Sequence, residues 1–280
     1  MTDDPGILDL PVPEGEGLYR QVKIAVGLDD PDLRTNPIFR LKRLVYGRRW
    51  MESVLRAASG ARDVADLGSG SGWVALELAY RNPQSRILAV DRDAGLQEWA
   101  RVHAEQRGRK VRLGQLTHQV ADLRTLELPE GSLDAAFALF SLSSLPEPVQ
   151  LLRRIRTWLS PGGLLVYMDA TDIPERNVRR LARLTRRSRE SLREAYASDG
   201  VRRHRPQGAP PEAEVFEALR EGFEVLVHQR SRAFLDFFTG RYRVREALWR
   251  LPLLAAADGL AVRLGLLEGA VRHVLARRPT

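Results

Sequence analysis

With 280 residues, 44 % of them apolar, and no internal repeat or low-complexity tract, the chain can bury one good core and reads as a single elaborated domain. It contains no cysteine, which excludes a disulfide framework, a thiolate metal site and a cysteine nucleophile. Its net charge is +8, its acidic start M-T-D-D-P-G lacks the basic and apolar regions of a signal peptide, and its longest strongly apolar stretch, Leu251 to Ala257, is too short to span a bilayer, so a cytoplasmic protein without a transmembrane segment is expected.

Residues 1 to 35 carry Pro5, Pro11, Pro13 and Pro31 and read as an irregular arm with one helix around Leu18 to Gly27. From Pro37 to Ala58 apolar residues recur at intervals of three and four, the period of an amphipathic helix that Gly60 ends. Tyr19, Tyr46 and Trp50 in this part are either pocket residues or ordinary core aromatics.

The stretch A-R-D-V-A-D-L-G-S-G-S-G at 61 to 72 then gives a buried strand from Val64 to Leu67, a turn with Gly68, Gly70 and Gly72, and the start of a helix at Trp73. Such a turn lets a ligand approach the backbone, and the unpaired N–H groups of the helix start suit a polar or anionic head. The dinucleotide fingerprint G-x-G-x-x-G would need its third glycine at Trp73, which weakens a nicotinamide or flavin reading.

A turn N-P-Q-S-R leads to a second buried strand, I-L-A-V-D, ending at Asp91. This carboxylate lies 19 residues past Gly72, where a doubly wound fold brings the second strand end beside the first turn and can offer a carboxylate to ribose hydroxyls. The helix N-cap is the other role open to Asp91, although Asp93 can fill it. A helix from Ala94 to Arg107 precedes a third strand region at K-V-R-L-G, an insertion around Gly114 to His118, and Asp122. A turn, a fourth strand from Leu133 to Phe140 and a serine-containing loop follow, then a helix from Val149 to Leu159, an S-P-G-G turn and a fifth strand, L-L-V-Y-M-D.

In this order, residues 61 to 170 resemble the class I S-adenosylmethionine-dependent methyltransferases, most closely the small-molecule group that includes the ubiquinone and menaquinone C-methyltransferases. The resemblance implies a doubly wound, mostly parallel seven-stranded α/β sheet, the Rossmann-like methyltransferase fold, with N-terminal helices and a helical C-terminal elaboration. It also implies S-adenosyl-L-methionine as cofactor, held by Asp66, Gly68, Ser69, Gly70, Gly72, Asp91, Arg92, Asp122, Leu123, Phe140 and Ser141. The family pattern extends the third strand region from K-V-R-L-G to Asp122 in H-Q-V-A-D-L, and there Asp122 inherits the contact to the adenine amino group, and the Leu123 N–H the contact to the ring nitrogen. Relatives in the quinone group carry one or two histidines in the loop after the fourth strand, where this chain has Ser143 and Ser144, a departure that leaves the general base unassigned among Tyr46, Ser143, Ser144 and Asp169. The absence of cysteine excludes pyrimidine C5-methylation through a covalent adduct, and no N/D-P-P-Y motif follows the fourth strand.

Past 170 the resemblance thins. Arg176 to Arg205 holds eleven arginines against Glu190, Glu194 and Asp199, and in the whole chain 41 of the 44 basic residues are arginine. The segment is either a solvated helical face or a site for an anionic substrate or nucleic acid, with Tyr196 its one stacking aromatic. After R-P-Q-G-A-P-P come a helix from Glu212 to Glu221, a strand F-E-V-L-V-H, an apolar insertion at 231–269 and a last strand at V-R-H-V-L-A-R-R. The expected organisation is an arm and helical cap at 1–60, a cofactor-binding core at 61–170, a basic helical lid or insertion at 171–211 and the end of the sheet, with its helical apolar insertion, at 212–280. The histidines at 103, 118, 204, 228 and 273 show no metal-binding spacing, so no metal is expected. The expected activity is methyl transfer to carbon or oxygen of a small hydrophobic molecule by a monomer or homodimer. An RNA methyltransferase using 176–205 and a non-catalytic cofactor-binding regulator are the alternatives.

Overall fold

The computed structural model describes residues 47–70, 72–109, 112–197, 209–233 and 244–280. Tyr19, Tyr46, Phe234, Phe237 and Phe238 lie outside the described residues, as does the side chain of Tyr196. In chain order the elements are α1 (Arg48–Ala57), β1 (Asp63–Leu67), α2 (Trp73–Arg81), β2 (Arg86–Asp91), α3 (Ala94–Gly108), β3 (Gln115–Val120) and β4 (Leu133–Leu139). After a single 3-10 turn at Leu142–Ser144 come α4 (Pro148–Trp158), β5 (Leu159–Ala170), α5 (Glu175–Thr185), α6 (Arg189–Ala197), α7 (Glu212–Gly222), β6 (Glu224–Ser231), α8 (Val244–Arg263) and β7 (Val271–Arg277).

The strands form one seven-stranded sheet in the order β3-β2-β1-β4-β5-β7-β6, in which β1 to β5 are parallel and β7 runs antiparallel between β5 and β6. This is the doubly wound, mostly parallel α/β architecture that the strand-helix alternation predicts. Covering both faces of a parallel sheet demands strands apolar on both sides, and β4 shows it: Ala135, Phe137 and Leu139 enter one core while Ala136 and Ala138 enter the other. The first core takes Trp50, Met51, Val54 and Leu55 of α1 and the apolar face of α2. The second takes Leu151, Leu152, Ile155 and Trp158 of α4, at spacings of one helical face, together with Val215, Phe216 and Leu219 of α7. Trp50 is therefore a core residue, 5 % exposed, with its ring edge-on to His273 at 5.3 Å.

Two expectations are corrected. The third strand is Gln115–Val120, which takes in most of the stretch read from sequence as an insertion and part of the extension to Asp122, while Arg112 to Gly114 stay outside it. The reason is local crowding: the Gly114 N–H bonds the Ala79 carbonyl at 2.8 Å, and a Cβ on Gly114 would lie 2.7 Å from the carbonyls of Asn82 and Ser85, so the chain crosses tightly here and pairs only afterwards. S-P-G-G is not a turn outside the fifth strand but part of it, since β5 runs unbroken from Leu159 and the register shift against β4 between Leu133 and Ala135 absorbs the extra residues.

Candidate cofactor and acceptor site

In a doubly wound sheet the ligand crevice opens at the carboxyl ends of the strands where the winding reverses, here between β1 and β4. The chain has spent its glycines at that point. Gly68, just past β1, has φ +76°, and a Cβ on it would sit 2.5 Å from the Cβ of Ser141 at the end of β4. Gly72 has φ +69° and precedes α2, and a Cβ there would come within 2.9 Å of the Ala100 Cβ and 3.3 Å of the His118 ring. Both the left-handed backbone and the close approach exclude a side chain. Asp66, 2 % exposed at the end of β1, accepts the Ala75 N–H at 3.1 Å and so ties the start of α2 to the strand.

Asp91 lies at the end of β2 beside this turn. Its Oδ2 accepts the Gly70 N–H at 2.7 Å and its Oδ1 the Asp93 N–H at 3.0 Å, whereas the start of α3 is held by Asp93, whose Oδ1 accepts the Leu96 N–H at 3.0 Å. The helix N-cap thus falls to Asp93, and Asp91 faces the glycine turn. Beyond β3, Asp122 is gripped by Arg124, whose Nε lies 2.9 Å from Oδ2; the guanidinium bonds and the Arg124 N–H push the carboxyl down to about 2. Exposed Arg92 adds to that field. Leu123 is buried, and its carbonyl accepts from Arg154 of α4 at 2.6 Å, which pins the loop. Opposite, Phe140 takes φ +55°, a strained conformation for an aromatic residue of the sort kept at ligand sites, and Ser141 is buried with its Oγ lacking a hydrogen-bond partner.

Ser143, Ser144 and Asp169 fall at the ends of β4 and β5. Asp169, 1 % exposed, accepts the Ser143 N–H on Oδ2 and the Ala170 N–H on Oδ1, each at 2.8 Å. Burial pushes its carboxyl up to about 6, against the lowering contacts of Ser143 and the Ala170 N–H. The Ser144 hydroxyl is turned back onto the Ser141 carbonyl at 2.7 Å. Ser143 and Asp169 line a small recess, with space for little more than one water molecule, together with Leu145, Pro148, Tyr167, Glu212 and Val215. Behind it Glu212 Oε1 accepts from Arg272 Nε at 2.6 Å and from the Tyr167 hydroxyl at 3.3 Å, and the Arg272 guanidinium lies 3.8 Å over the Phe216 ring.

Several of these participants escape sequence reasoning. Gln97 of α3 reaches under the glycine turn and touches Ser69 and His118; Arg124, Arg154 and the Glu212–Arg272 pair were equally unforeseen. Only the arginine beside Asp122 had a usable signal, a basic residue two positions after an acid at a strand end. Among the described residues no group of three His, Asp or Glu side chains is placed to hold a metal ion, and no helix is long and apolar enough to cross a membrane.

Residues 65–167 match a family model described as a methyltransferase domain. The chain is 29 % identical over 133 residues to a ubiquinone/menaquinone biosynthesis C-methyltransferase of Geobacter sp. strain M21, covering 46 % of this chain and 55 % of that protein. It is 34 % identical over 134 residues to a trans-aconitate 2-methyltransferase of Deinococcus radiodurans, covering 48 % and 43 %. The chain thus spans about half the length of these curated relatives. In fold it is similar to an S-adenosylmethionine-dependent methyltransferase from Mesorhizobium loti, with a TM-score of 0.51 and 22 % identity over 84 % of this chain and 100 % of that one.

Proposed function

We propose that the chain, whose residues 65–167 match a methyltransferase domain, is a class I S-adenosylmethionine-dependent methyltransferase related to the ubiquinone/menaquinone group and methylates carbon or oxygen of a small, hydrophobic acceptor. The observation that carries the proposal is the cradle of glycine backbone at the reversal of winding, where Gly68, Gly70 and Gly72 all take positive φ and the Gly70 N–H meets Asp91, with the buried, unpartnered Ser141 hydroxyl beside Gly68. S-adenosyl-L-methionine suits such a bed: Gly68, Ser69 and Gly70 would lie along it, Asp91 would accept from its ribose, and Asp122 and Leu123 would flank its adenine. When bound it supplies a methyl group made electrophilic by a sulfonium.

The protein's own work is then positioning and proton removal. Leu145, Pro148 and Val215 form the apolar side of the recess beside Asp169, which would serve as the base for an acidic O–H or C–H of an acceptor that widens it on binding. Near neutral pH its carboxylate is available, and burial keeps it basic enough to take the proton. The Ser143 and Ala170 N–H groups fix both oxygens in place. Ser143 serves by holding Asp169, and Ser144, its hydroxyl turned onto the Ser141 carbonyl, serves geometry.

Transfer of a radiolabelled methyl group into a cell extract separated into small molecules, RNA and protein tests the reading. Label in the apolar small-molecule fraction is expected. Label in RNA would move the function to the arginines of α5 and α6, and binding of S-adenosylhomocysteine with no transfer would make the chain a regulator.

A further inference from the structure

We propose that Gln97 and His118 form a directed hydrogen-bond relay that turns the Ser69 hydroxyl into a donor aimed at the polar head of the ligand held by the glycine turn. The inference rests on the reading of that turn as the cofactor bed and adds positioning residues to it. Gln97 is 2 % exposed, and its Nε2 lies 2.8 Å from Ser69 Oγ and 3.3 Å from the Gly70 carbonyl. A carbonyl can only accept, so the amide end facing the turn must be the NH₂ group. The other end, Oε1, can itself only accept, and it faces His118 Nδ1 at 3.3 Å. His118 therefore carries its proton on Nδ1, and its Nε2, buried with no hydrogen-bond partner, bears the lone pair. Ser69 Oγ, having accepted from Gln97, keeps its own proton for another partner.

Each link has one direction, from β3 through α3 to the turn: His118 Nδ1–H to Gln97 Oε1, Gln97 Nε2–H to Ser69 Oγ, and Ser69 O–H to an acceptor oxygen on the ligand. The surroundings keep His118 in the form the relay needs. Burial and the nearby Arg101 lower its pKa while Glu105 opposes them, so the ring is neutral at pH 7 and its one N–H is committed to Gln97. Its ring also packs against Gly72, whose missing side chain leaves room for it. A hydroxyl whose proton is free to donate outward matches a carboxylate or hydroxyl oxygen on the ligand.

A double-substitution cycle tests the relay with S-adenosylhomocysteine as the titrant. Gln97→Glu keeps the shape but replaces the NH₂ with an acceptor, which pulls the Ser69 proton inward; a roughly ten-fold weaker affinity is expected, the scale of one hydrogen bond. Ser69→Ala should give a similar loss, and the double variant no more than either alone, because both remove the same donor. Gln97→Met, which releases Ser69 without redirecting it, should bind more tightly than Gln97→Glu. Nitrogen-15 NMR of the wild type should show a neutral His118 protonated at Nδ1. Additive losses in the cycle, or a proton on Nε2, would overturn the relay. A wild type that does not bind S-adenosylhomocysteine would instead overturn the assignment of the turn, so the two failures are distinguishable.

Discussion

Around the glycine turn the contacts run between main-chain groups and short side chains of neighbouring strand ends: Gly68 and Ser69 N–H both reach the Val90 carbonyl, at 2.8 and 2.9 Å, and Gly70 N–H reaches Asp91. Behind Asp169 the contacts run instead between long buried side chains far apart in sequence, Tyr167, Glu212 and Arg272. The first arrangement is geometry that backbone conformation enforces, so it tolerates almost no bulk. The second is an electrostatic balance among ionisable groups, so it tolerates bulk better than loss of charge. The two ends of one sheet edge should therefore fail in different ways.

The largest effect is expected from Gly68→Val. It adds bulk where even a Cβ meets Ser141 at 2.5 Å and forces a β-branched residue into a left-handed backbone. Titration calorimetry should show no binding of S-adenosylhomocysteine, and retained tight binding would remove the cradle from the site.

Glu212→Ala strikes the other region. It leaves the Arg272 guanidinium, 5 % exposed, without its carboxylate, and unpairing a buried ion costs about 3–5 kcal/mol. Urea unfolding should show that loss while affinity for S-adenosylhomocysteine in the folded protein stays near the wild-type value; a matching fall in affinity would mean that the two regions are not independent.

Asp169→Asn should lower kcat by about 10²-fold or more, the usual contribution of a positioned base, with ligand affinity unchanged. The wild-type rate should also climb with pH through about 6, where the buried carboxyl loses its proton. A flat profile and an active Asn variant would return Asp169 to a purely structural role. In the first region, Asp91→Ala frees the Gly70 N–H and should weaken S-adenosylhomocysteine by about 1.5–3 kcal/mol, the scale of a hydrogen bond to a charged group, with little change in melting temperature.

The smallest effect is a pair of opposed pH dependences. Burial, aided by Arg232, holds His273 at about 3, below its ordinary value near 6.5. Below pH 6.5 the unfolded chain binds a proton there that the folded chain refuses, so His273 removes stability as pH falls toward 3. Asp169 acts the other way, since its folded value of about 6 lies above the ordinary 3.8. The folded chain keeps a proton between those values that the unfolded chain has lost, so its stabilisation fades as pH rises from about 4 to 6. Measured by urea unfolding, the stability of wild type relative to His273→Phe should rise with pH over that window, and relative to Asp169→Asn it should fall, each by up to about 1.4 kcal/mol per pH unit. Parallel curves would show that neither group is shifted as its burial requires.

What could be read from the residues follows the same division. The strands at Val64, Ile87, Leu133 and Leu164 announce themselves because a sheet covered on both faces needs continuous apolar runs, and the turn does so because only glycine tolerates its backbone. β3 does not: Q-L-T-H-Q-V sits at the sheet edge with Gln115, Thr117, Gln119 and Val120 exposed, so no apolar pattern marks it. Gln97 reads as one polar residue among many on α3, and its role appears only when β3 carries His118 alongside. Likewise nothing near Glu212 predicts Arg272, 60 residues away. The apolar insertion divides too: on α8, Asp258 is buried and accepts the Ala233 N–H at 2.8 Å, while Leu253 and Leu260 stay exposed. The reading of α5 and α6 as a lid remains a proposal; α5 is docked through Asn177, which exchanges hydrogen bonds with the main chain of Glu268.

The position of β7 between β5 and β6 sets an order of assembly. As the chain leaves the ribosome, the five parallel strands can pair as they emerge, each finding a neighbour already made. β6 cannot join them, because both of its ladder's ends, Glu224 with Arg277 and Ser231 with Val271, belong to a strand made some forty residues later. Until then the edge of β5 and the whole of β6 present open backbone to other chains. Residues 271 to 277 act as a bolt driven home last, and a nascent chain stalled before them would carry a finished glycine turn and two sticky edges.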